Sequence, residues 1–268
     1  MKTALVTGAT DGIGHETASQ LGALGWRVIV HGRNEAKARR AAAALTGGAN
    51  GDTYQPAWGD FSRMKEVVAL ARQVLKQAPI LDVLVNNAGV SVDTRTVTED
   101  GFELTMAVNH FAHFLLTHHL LAALRAAPAG RIVTVSSMTH SSGRIDLADL
   151  AFAEHFDGYR AYATSKLANV LFTVAIAKRL AGTAVTANCC HPGVISTKLL
   201  HGRFGMGGAP VTRGARTSVY LASSPEVANV SGKYFDDCRQ VSPARAARDA
   251  ELAESLWEAS ERLLRAYF

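Results

Sequence analysis

Long apolar runs are missing from this sequence: no stretch approaches the roughly 18 uninterrupted apolar residues that a membrane-spanning helix needs. Cysteine is scarce, with three in 268 residues. Cys189 and Cys190 sit together in an apolar, strand-like run, Cys238 stands apart, and there is no C-x-x-C. This pattern argues against a disulfide framework or a cysteine-based metal site and suits buried thiols in a reducing compartment. Runs of like charge are missing too. The 28 basic and 23 acidic side chains are scattered, and the net charge of +5 suits a phosphate-bearing small ligand better than nucleic acid. The opening M-K-T-A-L-V-T-G-A-T has one Lys and too short an apolar run for a signal peptide, so a cytoplasmic protein is expected.

What is present is a regular alternation. Strand-like runs at 3–7, 27–31, 53–57, 82–86, 131–136, 184–190 and 232–236 are separated by helical patterns near 13–24, 35–46, 62–77, 101–127, 159–181 and 212–223, with a last one near 247–265. Strands that are continuously apolar and separated by helices predict an α/β fold: a doubly wound parallel sheet of about seven strands with helices on both faces. No Pro/Gly/Ser linker interrupts it, so one domain spanning 1–268 is expected. Two stretches break the rhythm, an insert at 138–158 and the segment about 197–210. The second holds four glycines between 202 and 208, which predicts a mobile lid.

T-G-A-T-D-G-I-G (7–14) follows the first strand and opens the first helix. Gly8, Gly12 and Gly14 let the backbone turn tightly and approach a pyrophosphate, whose charge the free N–H groups of a helix N-terminus stabilise. After the second strand comes H-G-R-N, with Arg33 and no acid until Glu35. An acid there would bind the ribose 2′-hydroxyl of NAD; an Arg suits the 2′-phosphate of NADP. NADP(H) is therefore expected over NAD(H). A second signal is Y-A-T-S-K (162–166) at the head of a half-apolar helix, which puts Tyr162 and Lys166 on one face, one turn apart. A cation there would lower the phenol from its ordinary value near 10 toward the range useful for proton transfer.

With N-N-A-G (86–89), A-V-N-H (107–110) and V-S-S (135–137), these stretches resemble the short-chain dehydrogenase/reductase family over nearly the whole chain. V-N-H-F-A-H-F-L-L-T (108–117), S-K-L-A-N-V-L-F (165–172), H-P-G (191–193) and G-K-Y-F-D-D-C (232–238) are similar to its retinol-dehydrogenase-like branch. Members of that branch often carry an N-terminal membrane anchor, which this sequence does not display, so work in solution is expected. The resemblance implies a Rossmann fold and a tetrad of Asn109, Ser137, Tyr162 and Lys166. Ser137 is taken because the second serine of the motif is usually the family's catalytic one. Tyr159, the rival phenol, has Ala163 rather than a lysine four residues on.

By the same resemblance, Tyr162 protonates the substrate carbonyl oxygen, Ser137 polarises it, Lys166 binds the nicotinamide ribose, and Asn109 holds a water of a proton relay. The implied cofactor contacts are Gly8, Thr10, Asp11, Gly12, Ile13 and Gly14 in the turn, with Arg33 and Asn34 after the second strand. Asp60 and Phe61 are implied at the adenine edge, and Asn87, Ala88 and Gly89 beside the adenine ribose. Pro192, Gly193, Ile195 and Thr197 follow the sixth strand near the carboxamide.

The expected activity interconverts a lipophilic or aromatic alcohol with its ketone or aldehyde. Two alternatives stand beside it: a protochlorophyllide-reductase-like C=C reductase and a non-catalytic NADP-sensing regulator. The family's equivalent of helix 159–181 commonly forms a dimer interface, so a homodimer or homotetramer is expected. His110, His113, His118 and His119 lack a matching carboxylate or cysteine set and are read as packing or surface residues rather than zinc ligands. His191 is read as structural.

Overall fold

Alternating burial within each strand divides the core in two. In the computed structural model, which describes residues 1–47, 52–205 and 207–268, the strands are β1 (Thr3–Val6), β2 (Arg27–Gly32), β3 (Tyr54–Trp58), β4 (Val83–Asn86), β5 (Arg131–Val135), β6 (Thr186–His191), β7 (Tyr234–Asp236) and β8 (Arg239–Val241). Leu5, Ile29, Leu84 and Ile132 point to one side of the sheet, while Val6, Val28, Val30, Val83, Val85 and Val133 point to the other. Successive side chains of a strand face opposite ways, so a strand apolar at every position needs cover on both faces.

That cover comes from helices. Residues of α3 (Met64–Gln77), α5 (Ala112–Ala126) and α6 (Gly158–Arg179) pack on the first face. Residues of α1 (Gly12–Ala23), α2 (Glu35–Thr46) and α8 (Val211–Ser223) pack on the second. The strand order is β3-β2-β1-β4-β5-β6-β7-β8, with the first seven parallel. The order reverses between β1 and β4, and it is outside the carboxyl ends of the strands at such a switch point that doubly wound sheets bind ligands.

The seven expected strands are all present. The eighth, β8, runs antiparallel to β7. Its turn, Asp237-Cys238, has φ of 43° and 62° without a glycine, so the usual hairpin signal is absent from the sequence. The helix expected over 101–127 starts at Leu104 instead, as a short α4 (Leu104–Met106), passes through a π-turn at Ala107–Phe111 and continues as α5. Glu103 begins it, its carboxylate accepting the N–H groups of Thr105 and Met106, both at 2.8 Å.

The insert opens with a 3-10 turn, Met138–Ser142, and is anchored by buried Leu150 and Phe152. The 197–210 segment contains α7 (Lys198–Phe204), capped by the Thr197 hydroxyl, and is tied back by pairing of Ile195 with Ala209. Met206, within this expected lid, lies outside the described residues.

Helix α6 presents little of the surface that a dimer would use. Nearly all its residues from Gly158 to Ile176 are buried, and α9 (Ala250–Leu264) of the same chain lies across it. Trp257 stacks on Phe172 with centroids 5.9 Å apart, Arg179 sits 4.1 Å over the Trp257 ring, and Arg179 pairs with Glu254. The apolar circumference that suggested an intermolecular contact is covered from within.

Candidate active site

The carboxyl ends of β1, β2, β4, β5 and β6 open into a cleft of about 950 Å³. Its floor is the glycine turn. Gly8 and Gly12 have φ of 64° and 57°, a region that other residues enter only at a cost. A Cβ on Gly8 would lie 2.8 Å from the Ala88 Cα, and one on Gly14 would lie 2.3 Å from the Gly8 carbonyl oxygen and 2.4 Å from Asn87 Nδ2. The first and third glycines are thus demanded by packing. Gly12 would meet only Thr197, at 3.5 Å, so its place in the turn is set by backbone conformation. Asp11 caps α1, its carboxylate accepting the Gly12 N–H at 2.8 Å. Lys198 of α7 pairs with Asp11 across the cleft mouth and holds that carboxyl below its ordinary value.

Gly14→Ala is therefore expected to force the turn apart. Overpacking of this kind costs about 1–3 kcal/mol, which a thermal melt would read, and NADPH binding followed by nucleotide fluorescence should weaken in parallel.

Three side chains that the sequence reading did not assign to the site hold the turn. Thr7 Oγ1 accepts the N–H groups of Asn87 (2.8 Å) and Ala88 (3.0 Å), locking N-N-A-G against β1. His31, ending β2, accepts the Gly8 N–H at Nδ1 (3.1 Å) and donates from Nε2 to the Gly59 carbonyl (3.0 Å). These partners require the neutral ring, and burial keeps it neutral by pushing its pKa down to about 4, against smaller opposing effects from Gly59 and Asp60. The His31 ring stacks on Phe61 at 4.6 Å, and Phe61 meets His113 edge-on at 5.5 Å. His113 donates from Nδ1 to the Asn109 carbonyl (3.0 Å), and its Nε2 lies 3.3 Å from Thr7 Oγ1. No local sequence signal marked His31, because its partners Gly8 and Gly59 lie 23 and 28 positions away.

Three of the four expected tetrad residues line the cleft together, and Asn109 does not. Tyr162 and Lys166 line the cleft from α6 and Ser137 lines it from the end of β5. Ser137 lines the cleft with Tyr162, its Oγ accepting the Thr139 N–H at 3.3 Å, whereas Ser136 turns its hydroxyl away to donate to the Lys166 carbonyl at 2.8 Å. The geometry thus separates two serines that sequence alone could not. Tyr159 is more than a third exposed, with its hydroxyl 3.5 Å from Ser142, and does not line the cleft.

The electrostatics depart from expectation. Lys166 Nζ is 5.5 Å from the Tyr162 ring centroid and donates to the Val135 carbonyl at 3.2 Å. Burial outweighs every other influence on the phenol and pushes it up to about 12, with only Ser137 pulling it down. Burial also presses Lys166 down to about 8. Burial, rather than the nearby lysine, dominates the shift of the phenol.

Asn109 stands behind the cleft lining. Its side chain accepts the Val90 N–H (2.8 Å) and donates to the Val90 carbonyl and Ser165 Oγ (both 2.9 Å). The π-turn that carries it widens the helix so that this clamp can form, and π-turns recur at functional sites.

Of the residues expected to touch a cofactor, Thr10, Asp11, Ile13, Arg33, Asp60, Phe61, Ala88, Gly89, Pro192, Gly193, Ile195 and Thr197 line the cleft with the turn glycines. Asn87 lines it too, but its amide is committed to the Thr7 carbonyl at 2.7 Å. Asn34 does not line it; its side chain caps α2 through the Lys37 N–H at 3.0 Å. Arg33 stands exposed on the rim with no ion-pair partner among the described residues, and Glu35 is occupied with Arg39. Cys189 and Cys190 are fully buried in β6, where burial pushes both thiols up; neither reaches the cleft lining. His110 and His113 are buried, and His110 Nε2 lies 2.9 Å from Ser260 Oγ of α9.

Comparison with known proteins agrees with this arrangement. The family model described as short chain dehydrogenase matches residues 2–205. Retinol dehydrogenase 14 of Mus musculus is 41% identical, the match covering 97% of this chain and 85% of that protein. Retinol dehydrogenase 13 of Homo sapiens is 39% identical over 98% and 84%. Among solved structures, an uncharacterised protein from Mycobacterium paratuberculosis superposes with a TM-score of 0.84 at 33% identity, covering 99% of this chain and 94% of that one. A Beutenbergia cavernae protein assigned as an NAD(P)-dependent gluconate 5-dehydrogenase, with NADP bound, gives 0.72 at 26%, covering 88% and 94%. The chain belongs to the short-chain dehydrogenase family, in its retinol-dehydrogenase-like branch.

Proposed function

We propose that this oxidoreductase interconverts a lipophilic alcohol with its aldehyde or ketone, using NADP(H) and Tyr162 as general acid and base. The observation that carries the reading is that Tyr162, Ser137 and Lys166 line one cleft together with the glycine turn. The cleft fits a dinucleotide: the glycine turn lines it, a Cβ on Gly12 would meet nothing nearer than Thr197 at 3.5 Å, and the α1 N-terminus faces it. When bound, the nicotinamide supplies or takes up the hydride. The protein's part is alignment and proton transfer. Ser137 holds the substrate oxygen beside the phenol, and Tyr162 gives that oxygen a proton on reduction and removes it on oxidation. Lys166, anchored to Val135, offers its remaining N–H groups to ribose hydroxyls, and Asn109 fixes the backbone beside it.

A phenol held near 12 is protonated at neutral pH, the form that reduction needs. Reductive turnover is expected to hold steady through neutral pH and oxidative turnover to rise as the solution is made alkaline. The names of the similar retinol dehydrogenases favour a lipophilic substrate. A panel of aldehydes and ketones, from small aliphatics to retinal and polycyclic aromatics, assayed by loss of NADPH absorbance tests it. No turnover across the panel despite tight NADPH binding would favour a sensing role.

The preference for NADP(H) rests on Arg33. Losing one charge-assisted contact of about 1.5–3 kcal/mol should raise the KM for NADPH roughly 10- to 100-fold in Arg33→Ala, with that for NADH little changed. Equal use of both cofactors by the unaltered enzyme would overturn the assignment. A cytoplasmic location, a single domain and a lid at about 197–210 belong to the same proposal. With α6 covered by α9, any homo-oligomer is proposed to use another face, and light scattering on the eluting protein would give its mass.

A further inference from the structure

The site has a support that its chemistry does not use directly. His140 is 5% exposed, stands in the 3-10 turn that follows Ser137, and is outside the cleft lining. Its Nδ1–H donates to the Ser137 carbonyl at 2.7 Å, and its Nε2 accepts the Ala244 N–H at 3.0 Å. A carbonyl can only accept and a backbone N–H can only donate, so these partners dictate both ring nitrogens. The ring packs on Tyr234 of β7 with centroids 4.8 Å apart, which fixes its plane. The next residue is held as well: the Met138 N–H donates to His191 Nδ1 at 3.2 Å.

We propose that His140 is a positioning residue for Ser137, tying the serine's backbone to the segment at Ala244 so that its hydroxyl stays turned to Tyr162. The inference rests on the functional reading of Ser137 given above. The turn's own bond, from the His140 N–H to the Ser137 carbonyl at 3.1 Å, ties the serine only to its own segment. Ser137 Oγ already accepts the Thr139 N–H at 3.3 Å, capping the turn, and a rotation of the serine backbone that shortened this bond would draw the hydroxyl out of the cleft and away from Tyr162. Holding the Ser137 carbonyl from one side and the Met138 N–H from the other removes that freedom. The segment it ties to comes from the far end of the chain, just before the 3-10 turn Arg245–Arg248 that leads into α9. The serine's aim is therefore set by residues more than 100 positions away.

The test is a double-mutant cycle on the full-length enzyme. Misplacing a reacting group by about 1 Å can cost as much as 100-fold, so His140→Ala should lower kcat roughly tenfold or more while the KM for NADPH is unchanged. His140→Asn, whose amide N–H can replace the Nδ1 donor to Ser137 but not the acceptor for the Ala244 N–H, should recover part of kcat and not all of it. Because His140 acts through Ser137, adding His140→Ala to Ser137→Ala should produce no further loss. A kcat for His140→Ala equal to the parent's, or losses that multiply in the double variant, would overturn the proposal. So would an Asn variant that folds, as judged by circular dichroism, yet is as slow as Ala. Ser137→Ala alone separates the two readings: parent-like turnover there removes the role assigned to Ser137 and this inference with it, whereas a slow Ser137→Ala beside a parent-like His140→Ala removes only this one.

Discussion

Tyr162→Phe is expected to lower kcat by about 10²- to 10⁴-fold while leaving NADPH binding within a few fold. The ring volume is kept, so the packing of a side chain only 8% exposed is undisturbed. The loss is confined to a hydroxyl whose one favourable influence comes from Ser137. A buried hydrogen bond of that kind contributes about 1 kcal/mol to stability, too little to unfold the protein. Lys166 stays anchored to Val135 and Asn169 donates to the same carbonyl, both at 3.2 Å, so the ribose side of the cleft is unaltered. Steady-state kinetics with NADPH and the best carbonyl of the panel, beside fluorescence titration of the nucleotide, would read both quantities. A variant that turns over at the parent rate would remove Tyr162 from the mechanism, and one that loses NADPH binding would move its role from chemistry to cofactor recognition.

Acid is expected to unfold the protein over a narrow range. His31, His110 and His113 are fully buried, and burial pushes them down to about 4, 3 and 3 from the ordinary 6.5. For His113 the charge of Lys166 adds to burial. These pKa values are lower folded than unfolded, so below pH 6.5 the unfolded chain takes up protons that the folded one refuses. The contribution is fully present above that pH and is lost as pH falls toward the folded values. Three such groups at about 1.4 kcal/mol per unit each give a slope approaching 4 kcal/mol per pH unit. A drop to about pH 5 then removes something near 6 kcal/mol, comparable with the whole stability of many domains.

Melting temperatures followed by circular dichroism should therefore fall steeply between about pH 6.5 and 5. A flat profile across that range would contradict the buried neutral state of these rings. The first effect of acid should be on the cleft, since His31 and His113 both brace the glycine turn through Gly8 and Thr7.

Much of the fold was legible in the sequence because parallel strands buried on both faces leave an unmistakable record. Val28-Ile29-Val30 and Val83-Leu84-Val85 are apolar at every position, and helical patterns of the right length stand between such runs. The glycines were legible for a related reason: a backbone that must pass 2.3 Å from where a Cβ would sit leaves no other residue type. The π-turn was not legible, since Ala107–Phe111 has the same apolar spacing as the α-helix around it. Nor was β8, whose two-residue turn uses Asp237 and Cys238 where glycine or asparagine would have signalled it.

The candidate site divides in the same way. Tyr162 and Lys166 are linked by one helical turn, a local relation that any reader of the sequence can draw. Which of two adjacent serines faces the phenol depends instead on the pleat of β5 and the placement of α6, and Ser136 is drawn to the Lys166 carbonyl. The proton affinity of Tyr162 likewise depends on how deeply α6 is buried, and that depth reversed the shift expected from a neighbouring lysine.

By itself, the sequence determined the strand and helix order, the glycine turn, the Tyr162 and Lys166 pair and the family, because each rests on local spacing or on residues that the backbone admits nowhere else. Only the tertiary structure decided that α9 covers α6, that His31 and His113 brace the turn, and that His140 reaches from Ser137 to Ala244. The contacts of Phe172 with Trp257, His31 with Gly8, His113 with Thr7 and His140 with Ala244 join residues 23 to 106 positions apart, and burial, which sets their charge and geometry, is a property of the packed chain and not of any stretch of it.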